Sequence, residues 1–472
     1  MNYLLLRQSY LNSRDNTEMT APPGPRGRAT LAFFGRSPEH NTLTFLRDTA
    51  RRYGPISSFR ILHKHIFVVD DAELIKEILV TRQHSFVRDT GATLLRELLG
   101  DSLITREEPL HRERRRVLQP AFHREQIAHY AEIMNAETAR FAGELKDGET
   151  LDIREAMRRL TLAIAGIALF GTDCRESAAQ VSQVVQRITA KSRWVAPALV
   201  LLEPFFLAYR RWFPKGPSLL FYRERKELER IIAPILEQRR GQGTKDILSL
   251  ILNARNEEDA PLSDDEVSNE IVTFMLAGHE TTASALTWTF YLLAQHPQAA
   301  EKFYEELDTV LDGRPARLED LSVLPYTSAV FQEGLRLYPP VLAFARRTIE
   351  PVELGGYVVP KGASVFLSPY ISQRNPRYYD DPEGFRPERW LKSPPHKFAY
   401  FPFGGGAKSC IGESFARLEG VLALTNLGRK WVLSCSNGGG IAIGVGMLLR
   451  PDRTILLQVT ERTRASQEAP TL

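Results

Sequence analysis

Apolar positions recur at helical spacing through most of residues 70–340, with breaks near Gly100, Gly148, Pro214 to Pro217 and Glu257 to Ser263. Ahead of that block, Ile56 to Val69 predicts a β-hairpin, with Phe59, Ile61 and Ile66 to Val69 flanking a polar tip at His63-Lys64. One helix is predicted to dominate. Ser263-Asp264-Asp265-Glu266 is a capping-box pattern, and no proline follows until Pro297. About 30 helical residues span roughly 45 Å, enough to cross a molecule of this size. A shorter helix is predicted over Pro325 to Leu337. Residues 341–366 are β-rich, with turns at Gly355-Gly356 and Pro360-Lys361-Gly362. From Arg374 to Pro395 the chain is irregular and proline-studded. Helical spacing returns with Phe415, Leu418, Val421 and Leu422, and Trp431 to Val459 again predicts strands, interrupted by Gly438-Gly439-Gly440. There is no internal repeat. The pattern is α+β, mainly α, with small segregated sheets. It predicts one domain over 21–460 between flexible segments at 1–20 and 461–472.

Composition adds limits. The 472 residues are 43% hydrophobic and 25% charged, an ordinary globular balance. A net charge of +4 is too small to imply a nucleic-acid partner. Three cysteines, Cys174, Cys410 and Cys435, do not make a disulfide framework and suit a reducing compartment. Tyr3 to Leu6 is too short for a signal-peptide core. Val195 to Ala208 carries Pro197, Glu203 and Pro204, which suits a buried or lid segment better than a membrane span. The expectation is a cytoplasmic monomer without a transmembrane anchor.

The chemistry starts at Cys410, in Phe403-Gly404-Gly405-Gly406-Ala407-Lys408-Ser409-Cys410-Ile411-Gly412. A cysteine behind a glycine run, opening an amphipathic helix, meets free N–H groups and the positive end of the helix dipole, which favour a thiolate. The glycines let the backbone turn tightly and lie close to a flat ligand. Such a thiolate is a good axial ligand for iron. Midway along the long helix, Ala277-Gly278-His279-Glu280-Thr281-Thr282 is weak in helix propensity. Ala277 and Gly278 would let a ligand lie against the backbone. Thr281 can bond back to a carbonyl and loosen the turn. Glu280 beside Thr281 is a proton-delivery pair. His279 is read as a core or solvated histidine. Glu333 and Arg336, three apart on one helix, share a face.

The cysteine loop closely resembles the haem-binding loop of the cytochromes P-450, and Ala277 to Thr282 resembles that family's oxygen-activation motif. Phe385-Arg386-Pro387-Glu388-Arg389-Trp390 resembles its second structural signature. The resemblance covers about 22 to 460. It implies the family fold, a long central helix over the haem with small separate sheets. It implies haem b with the Cys410 thiolate as axial ligand, seated against Phe403, Gly404, Gly412 and Ala277. Glu280 and Thr281 would deliver protons to dioxygen. Glu333, Arg336 and Arg389 would form a buried structural network. Cations for the haem carboxylates would come from His111, Arg115, Arg346 and Lys408, where many relatives carry Arg or His in place of Lys408. Gln373 stands where many relatives have His.

The implied activity is insertion of one oxygen atom from dioxygen into an apolar small molecule, by hydroxylation or epoxidation. No flavin or nicotinamide fingerprint is present, so electrons would come from a separate ferredoxin, flavodoxin or reductase. The basic run Arg112 to Arg116 would attract such a donor. Phe86 to Leu99, Phe274, Ala277 and Val341 to Ala345 are the apolar stretches that would meet substrate. Two alternatives remain open: a haem-thiolate peroxygenase or isomerase, and a non-catalytic haem sensor or carrier.

Overall fold

The computed structural model describes residues 21–35, 37, 41–175, 177–213, 220–239, 246–255, 259–392, 396–435, 440–444, 446 and 448–462. The predicted flexible segment 1–20, most of the tail, the break at Pro214 to Pro217 and Gly438-Gly439 lie outside them.

The main core wraps the central helix, Asp264–Gln295. Its start is the predicted capping box. The Ser263 hydroxyl accepts from the Glu266 amide at 3.3 Å, and the Glu266 carboxylate accepts from the Ser263 amide at 3.1 Å. Caps of this kind contribute about 1 kcal/mol. Three helices that carry site residues pack on it: Ile153–Phe170, Pro325–Leu337 and Glu413–Lys430. Helix Ile153–Phe170 approaches closely because Gly278 faces it. A Cβ there would come within 3.2 Å of Leu169. Gly278 therefore serves helix packing, not the ligand contact read from its small size. Val195 to Ala208 continues one long helix, Ala178–Trp212.

The predicted hairpin forms, Ile56–Ile61 against Lys64–Val69. Its turn centres on Leu62-His63, one residue earlier than the polar tip, with Leu62 exposed at φ 51°. Lys64–Val69 then pairs in parallel with Ser364–Leu367, which pairs with Phe344–Thr348, and that strand with Phe86–Arg88. In this five-stranded sheet Arg88 stands directly opposite Arg346. Leu456–Glu461 lies between Thr150–Asp152 and Trp431–Cys435 in a separate three-stranded sheet. Two further two-stranded pairs, Val352–Leu354 with Tyr357–Val359 and Ile443–Gly444 with Arg450–Pro451, complete the sheets among the described residues. The fold is α+β and mainly α. None of the described helices is long and apolar enough to cross a membrane.

Candidate active site

A buried carboxylate organises the region before the cysteine. Arg336 donates to Glu333 through Nε and Nη2, both at 2.8 Å, and both residues are fully buried. Arg389 Nε joins at 3.0 Å, Trp390 Nε1 at 2.8 Å and the Arg386 amide at 2.9 Å. The remaining Arg336 donors reach the carbonyls of Gln373, Pro382 and Gly384. Gln373 extends the network. Its amide nitrogen donates to the Leu335 and Arg336 carbonyls, and its oxygen accepts from the Phe401 amide at 3.1 Å. A side chain to which the sequence assigned nothing thus ties the Glu333 helix to the segment entering the cysteine loop.

The loop turns because two glycines allow it. Gly404 has φ +74°, and a Cβ there would be in ordinary contact with the Phe344 ring, so the backbone conformation alone calls for glycine. Gly406 has φ +70°, and a Cβ there would lie 1.8 Å from the Leu79 carbonyl oxygen. Gly406 is therefore required by protein packing, not by a ligand. The Cys410 amide donates to the Phe403 carbonyl at 2.9 Å, and the Phe403 ring lies under the Arg417 guanidinium at 4.9 Å. Cys410 sits in the turn ahead of its helix, whose N-cap is Gly412. Its side chain is exposed on one side and enclosed by protein on the others. Burial pushes the thiol up to about 11, outweighing the Gly412 amide and Arg115, which pull it down. The helix terminus alone does not make this cysteine a thiolate; a coordinated metal would.

Cations gather beside the loop. Arg346 is 8% exposed, and the one hydrogen bond of its guanidinium to the described residues goes to the carbonyl of its neighbour Ala345 at 3.1 Å. Burial, with Arg88 opposite, lowers its pKa to about 10. Lys408 pairs with Glu107, which also accepts from the Arg88 amide at 2.8 Å. Arg115 is occupied differently: Nη1 donates to the Ser409 carbonyl at 2.6 Å, bracing the loop next to Cys410. His111 is buried, with Nδ1 3.0 Å from Glu108 Oε1. Burial and Arg88 lower its pKa despite Glu108, so the ring is a neutral imidazole at pH 7 and not the cation read from its position. Arg114 also departs from the basic run. It points inward to Glu266 at 3.1 Å and Glu270 at 3.4 Å, leaving Arg112 and Arg116 exposed.

On the central helix, Thr281 Oγ1 donates back to the Ala277 carbonyl at 2.8 Å. Glu280 turns away from that bond. Arg158, 4% exposed on Ile153–Phe170, donates to it at 2.5 Å, and His279 Nε2 lies at 3.5 Å. Burial pushes the Glu280 carboxyl up, but His279, Arg158 and Arg154 outweigh it and hold it at about 2. His279 is a core histidine, with Nδ1 on the Met275 carbonyl. Phe274 stacks on Phe122 in the core. Val341 to Ala345 and Ala277 remain half-buried and apolar.

Residues 22–457 match the model of the family described as Cytochrome P450. The chain belongs to the cytochrome P450 family. Its curated relatives include cyclooctatin synthase of Streptomyces melanosporofaciens, 34% identical over 86% of this chain and 85% of the relative. Pentalenene oxygenase of Streptomyces avermitilis is 32% identical over 87% of this chain and 91% of its own length. Cyclooctat-9-en-7-ol 5-monooxygenase of S. melanosporofaciens is 34% identical over 86% and 85%. The chain is a cytochrome P450 monooxygenase.

Cytochromes P450 in general hold haem through a cysteine thiolate. The residues present fit that group. Cys410 has an open side, and Arg88 stands opposite Arg346 with Lys408 beside them, three cations that share the single carboxylate Glu107 and would suit further carboxylate groups. Several contributors escaped the sequence reading. Arg88 stands in a stretch taken as substrate-lining, and Glu107 beside it offered no pattern. Arg158 did give a signal: a guanidinium on a helix buried along most of its length.

Proposed function

We propose that this monooxygenase carries haem b on Cys410 and oxidises a cyclic terpene or terpenoid, with electrons from a separate ferredoxin, flavodoxin or reductase. The observation that carries the reading is the Cys410 loop: its sulfur lies beside the Gly412 amide and Arg115, and the same loop brings Lys408 to Arg88 and Arg346, cations that outnumber Glu107. Arg88 and Arg346 would take the haem carboxylates, with Lys408 shared between them and Glu107. His111 would offer a neutral hydrogen bond. Bound haem would supply activation of dioxygen and insertion of one oxygen atom into a C–H or C=C bond.

The chain's own residues would do the rest. Half-buried Val341, Leu342, Ala343 and Ala277 would present an apolar surface and exclude water from the substrate. The Thr281 hydroxyl, held on the Ala277 carbonyl, would swing to a hydrogen bond on the substrate side. Glu280 would move protons only when Arg158 releases it. Exposed Arg112 and Arg116 would meet an acidic electron donor. Support for the substrate class comes from two similar proteins whose names specify terpene chemistry.

The test has two parts. Reduced, haem-loaded protein under CO should show the red-shifted absorption band of thiolate-ligated iron, and Cys410→Ser should lose it. A panel of cyclic terpenes, fatty acids and steroids should then be screened by displacement of the ferric haem band. Terpenes should bind most tightly and give oxygenated product with a surrogate ferredoxin system. A normal CO band with no terpene response would refute the substrate class. Turnover with peroxide but none with dioxygen and reductant would refute the monooxygenase cycle.

A further inference from the structure

Glu107 stands in the loop between helices Thr90–Leu99 and Leu110–Leu118, four residues before His111. Its two carboxylate oxygens are divided between two elements. Oε1 accepts from the Arg88 amide at 2.8 Å and lies 3.7 Å from the Arg88 guanidinium. Oε2 pairs with Lys408, two residues before Cys410. Strand Phe86–Arg88, the loop ahead of the His111 helix and the cysteine loop thus meet at one carboxylate. Arg346 stands opposite Arg88 on the paired strand and is close enough to feel the Glu107 charge. The side chains of Arg88 and Lys408 are 14% and 12% exposed, so solvent screens their charges weakly.

The charged groups around this cluster are committed elsewhere. Arg106 and Arg114 pair with Glu266 at 2.7 and 3.1 Å. Glu108 takes Arg112 at 3.5 Å and the neutral His111 ring at 3.0 Å, and acts on Arg88 only through space, more weakly than Glu107 does. Arg115 is held on the Ser409 carbonyl, on the Cys410 side. What is left among the described residues is Arg88, Arg346 and Lys408 against Glu107, three positive charges and one negative. The surplus of two is the number of carboxylates that haem b carries. The match depends on Glu107. Without it the three cations would exceed the haem carboxylates by one.

We infer that Glu107 is a built-in counter-charge that competes with the haem carboxylates for Lys408 and Arg88 and holds down the reduction potential of the bound iron. The inference deepens the proposed function and rests on it for the haem. Reduction adds an electron to the iron, so a fixed carboxylate in the cluster opposes it and a fixed cation favours it. Glu107 is a positioning residue: it touches Lys408 and Arg88, and acts on the iron through the field of the cluster. A carboxylate needed only to hold those two cations in place predicts the opposite sign for haem retention. Its loss would loosen the site, whereas loss of a competing counter-charge frees Lys408 and Arg88 to grip the haem more tightly.

Spectroelectrochemical titration of the haem-loaded protein, with haem transfer to apomyoglobin, tests this. Glu107→Gln keeps the size of the side chain and an acceptor for the Arg88 amide, and removes the charge. It should favour the ferrous state at least threefold, about 28 mV upward at roughly 59 mV per tenfold for one electron. It should also slow haem loss at least threefold, while the haem-free variant melts at a lower temperature because Arg88, Arg346 and Lys408 repel one another unopposed. Lys408→Met should lower the potential, and adding Glu107→Gln to it should bring the potential back towards wild type. A potential that is unmoved or lowered in Glu107→Gln, or haem lost faster than from wild type, overturns the inference. Should Glu107→Gln fail to fold, the double variant decides: its potential must lie above that of Lys408→Met by the same threefold, and equality overturns the inference. The CO band of the wild-type sample separates the failures. Its absence refutes the proposed function and this inference with it; a normal band with an unmoved potential refutes the inference alone.

Discussion

Glu333→Gln is the most demanding test of the scaffold. The side chain keeps its size, so no cavity opens. What changes is charge and donor direction. Oε1 accepts from Arg336 Nη2, Arg389 Nε and the Arg386 amide, and Oε2 accepts from Arg336 Nε and Trp390 Nε1. The amide oxygen can take the first position, serving its three donors. The amide NH2 then stands at the second, pointing hydrogens at the hydrogens of Arg336 Nε and Trp390 Nε1. Hydrogen bonds to charged groups contribute about 1.5–3 kcal/mol each, so losing two predicts about 3–6 kcal/mol. Independently, removing one partner of a buried ion pair costs about 3–5 kcal/mol, because Arg336 stays buried without its counter-charge. The two estimates agree at about 4 kcal/mol. Urea unfolding followed by tryptophan fluorescence and by circular dichroism measures it, with coincident transitions as the condition for reading a free energy. Arg389→Lys, at the less buried side of the same carboxylate, should cost about 1–2 kcal/mol. A Glu333→Gln loss below about 1 kcal/mol would refute the reasoning, since it would mean the buried charge is not needed by its two guanidiniums.

Gly406→Ala should destabilise by more than about 2 kcal/mol and reduce haem loading, because the new methyl meets the Leu79 carbonyl at a left-handed backbone position; equal melting temperature and loading would contradict it. Glu280 has a folded pKa of about 2 against an ordinary 4.5, so it contributes about 3 kcal/mol that is fully present above pH 4.5 and lost as pH falls towards 2. Glu280→Gln should therefore flatten the acid limb of the stability–pH curve over that window, read by urea midpoints at stepped pH. Arg158→Ala should uncage the carboxylate and raise its pKa, shifting the acid limb of the rate–pH profile upward; an unmoved limb would show that Arg158 does not hold Glu280 during turnover. Arg346→Ala should weaken haem retention at least tenfold in a transfer assay to apomyoglobin, with little change in the melting of the haem-free protein.

What could be read in advance was local. The capping box at Ser263, the Glu333–Arg336 spacing and the hairpin each depend on residues within a few positions of one another. What could not be read depends on pairings across the chain. Thr150–Asp152 is three residues long, too short to show alternation, and its partner lies at Leu456–Glu461. Arg88 and Arg346 become neighbours only when two strands pair. Position also misled where burial decides the outcome: His111 is neutral, and the Cys410 thiol is raised, because desolvation outweighs the charges around them.

The three-stranded sheet has a consequence for how the chain is made. Thr150–Asp152 leaves the ribosome roughly 300 residues ahead of Leu456–Glu461, the strand that covers its edge. At about 5–20 residues per second, the roughly 300 residues between them take about 15–60 s. Throughout that time the short strand waits unpaired, and helix Ile153–Phe170, which follows it directly, has an unfinished neighbour. The closing step therefore waits for a distant segment, even though the helices that pack on Ile153–Phe170 among the described residues have already emerged. A chain stalled before Leu456 should present this edge to chaperones, and supplying the missing strand as a peptide should compete with them for it.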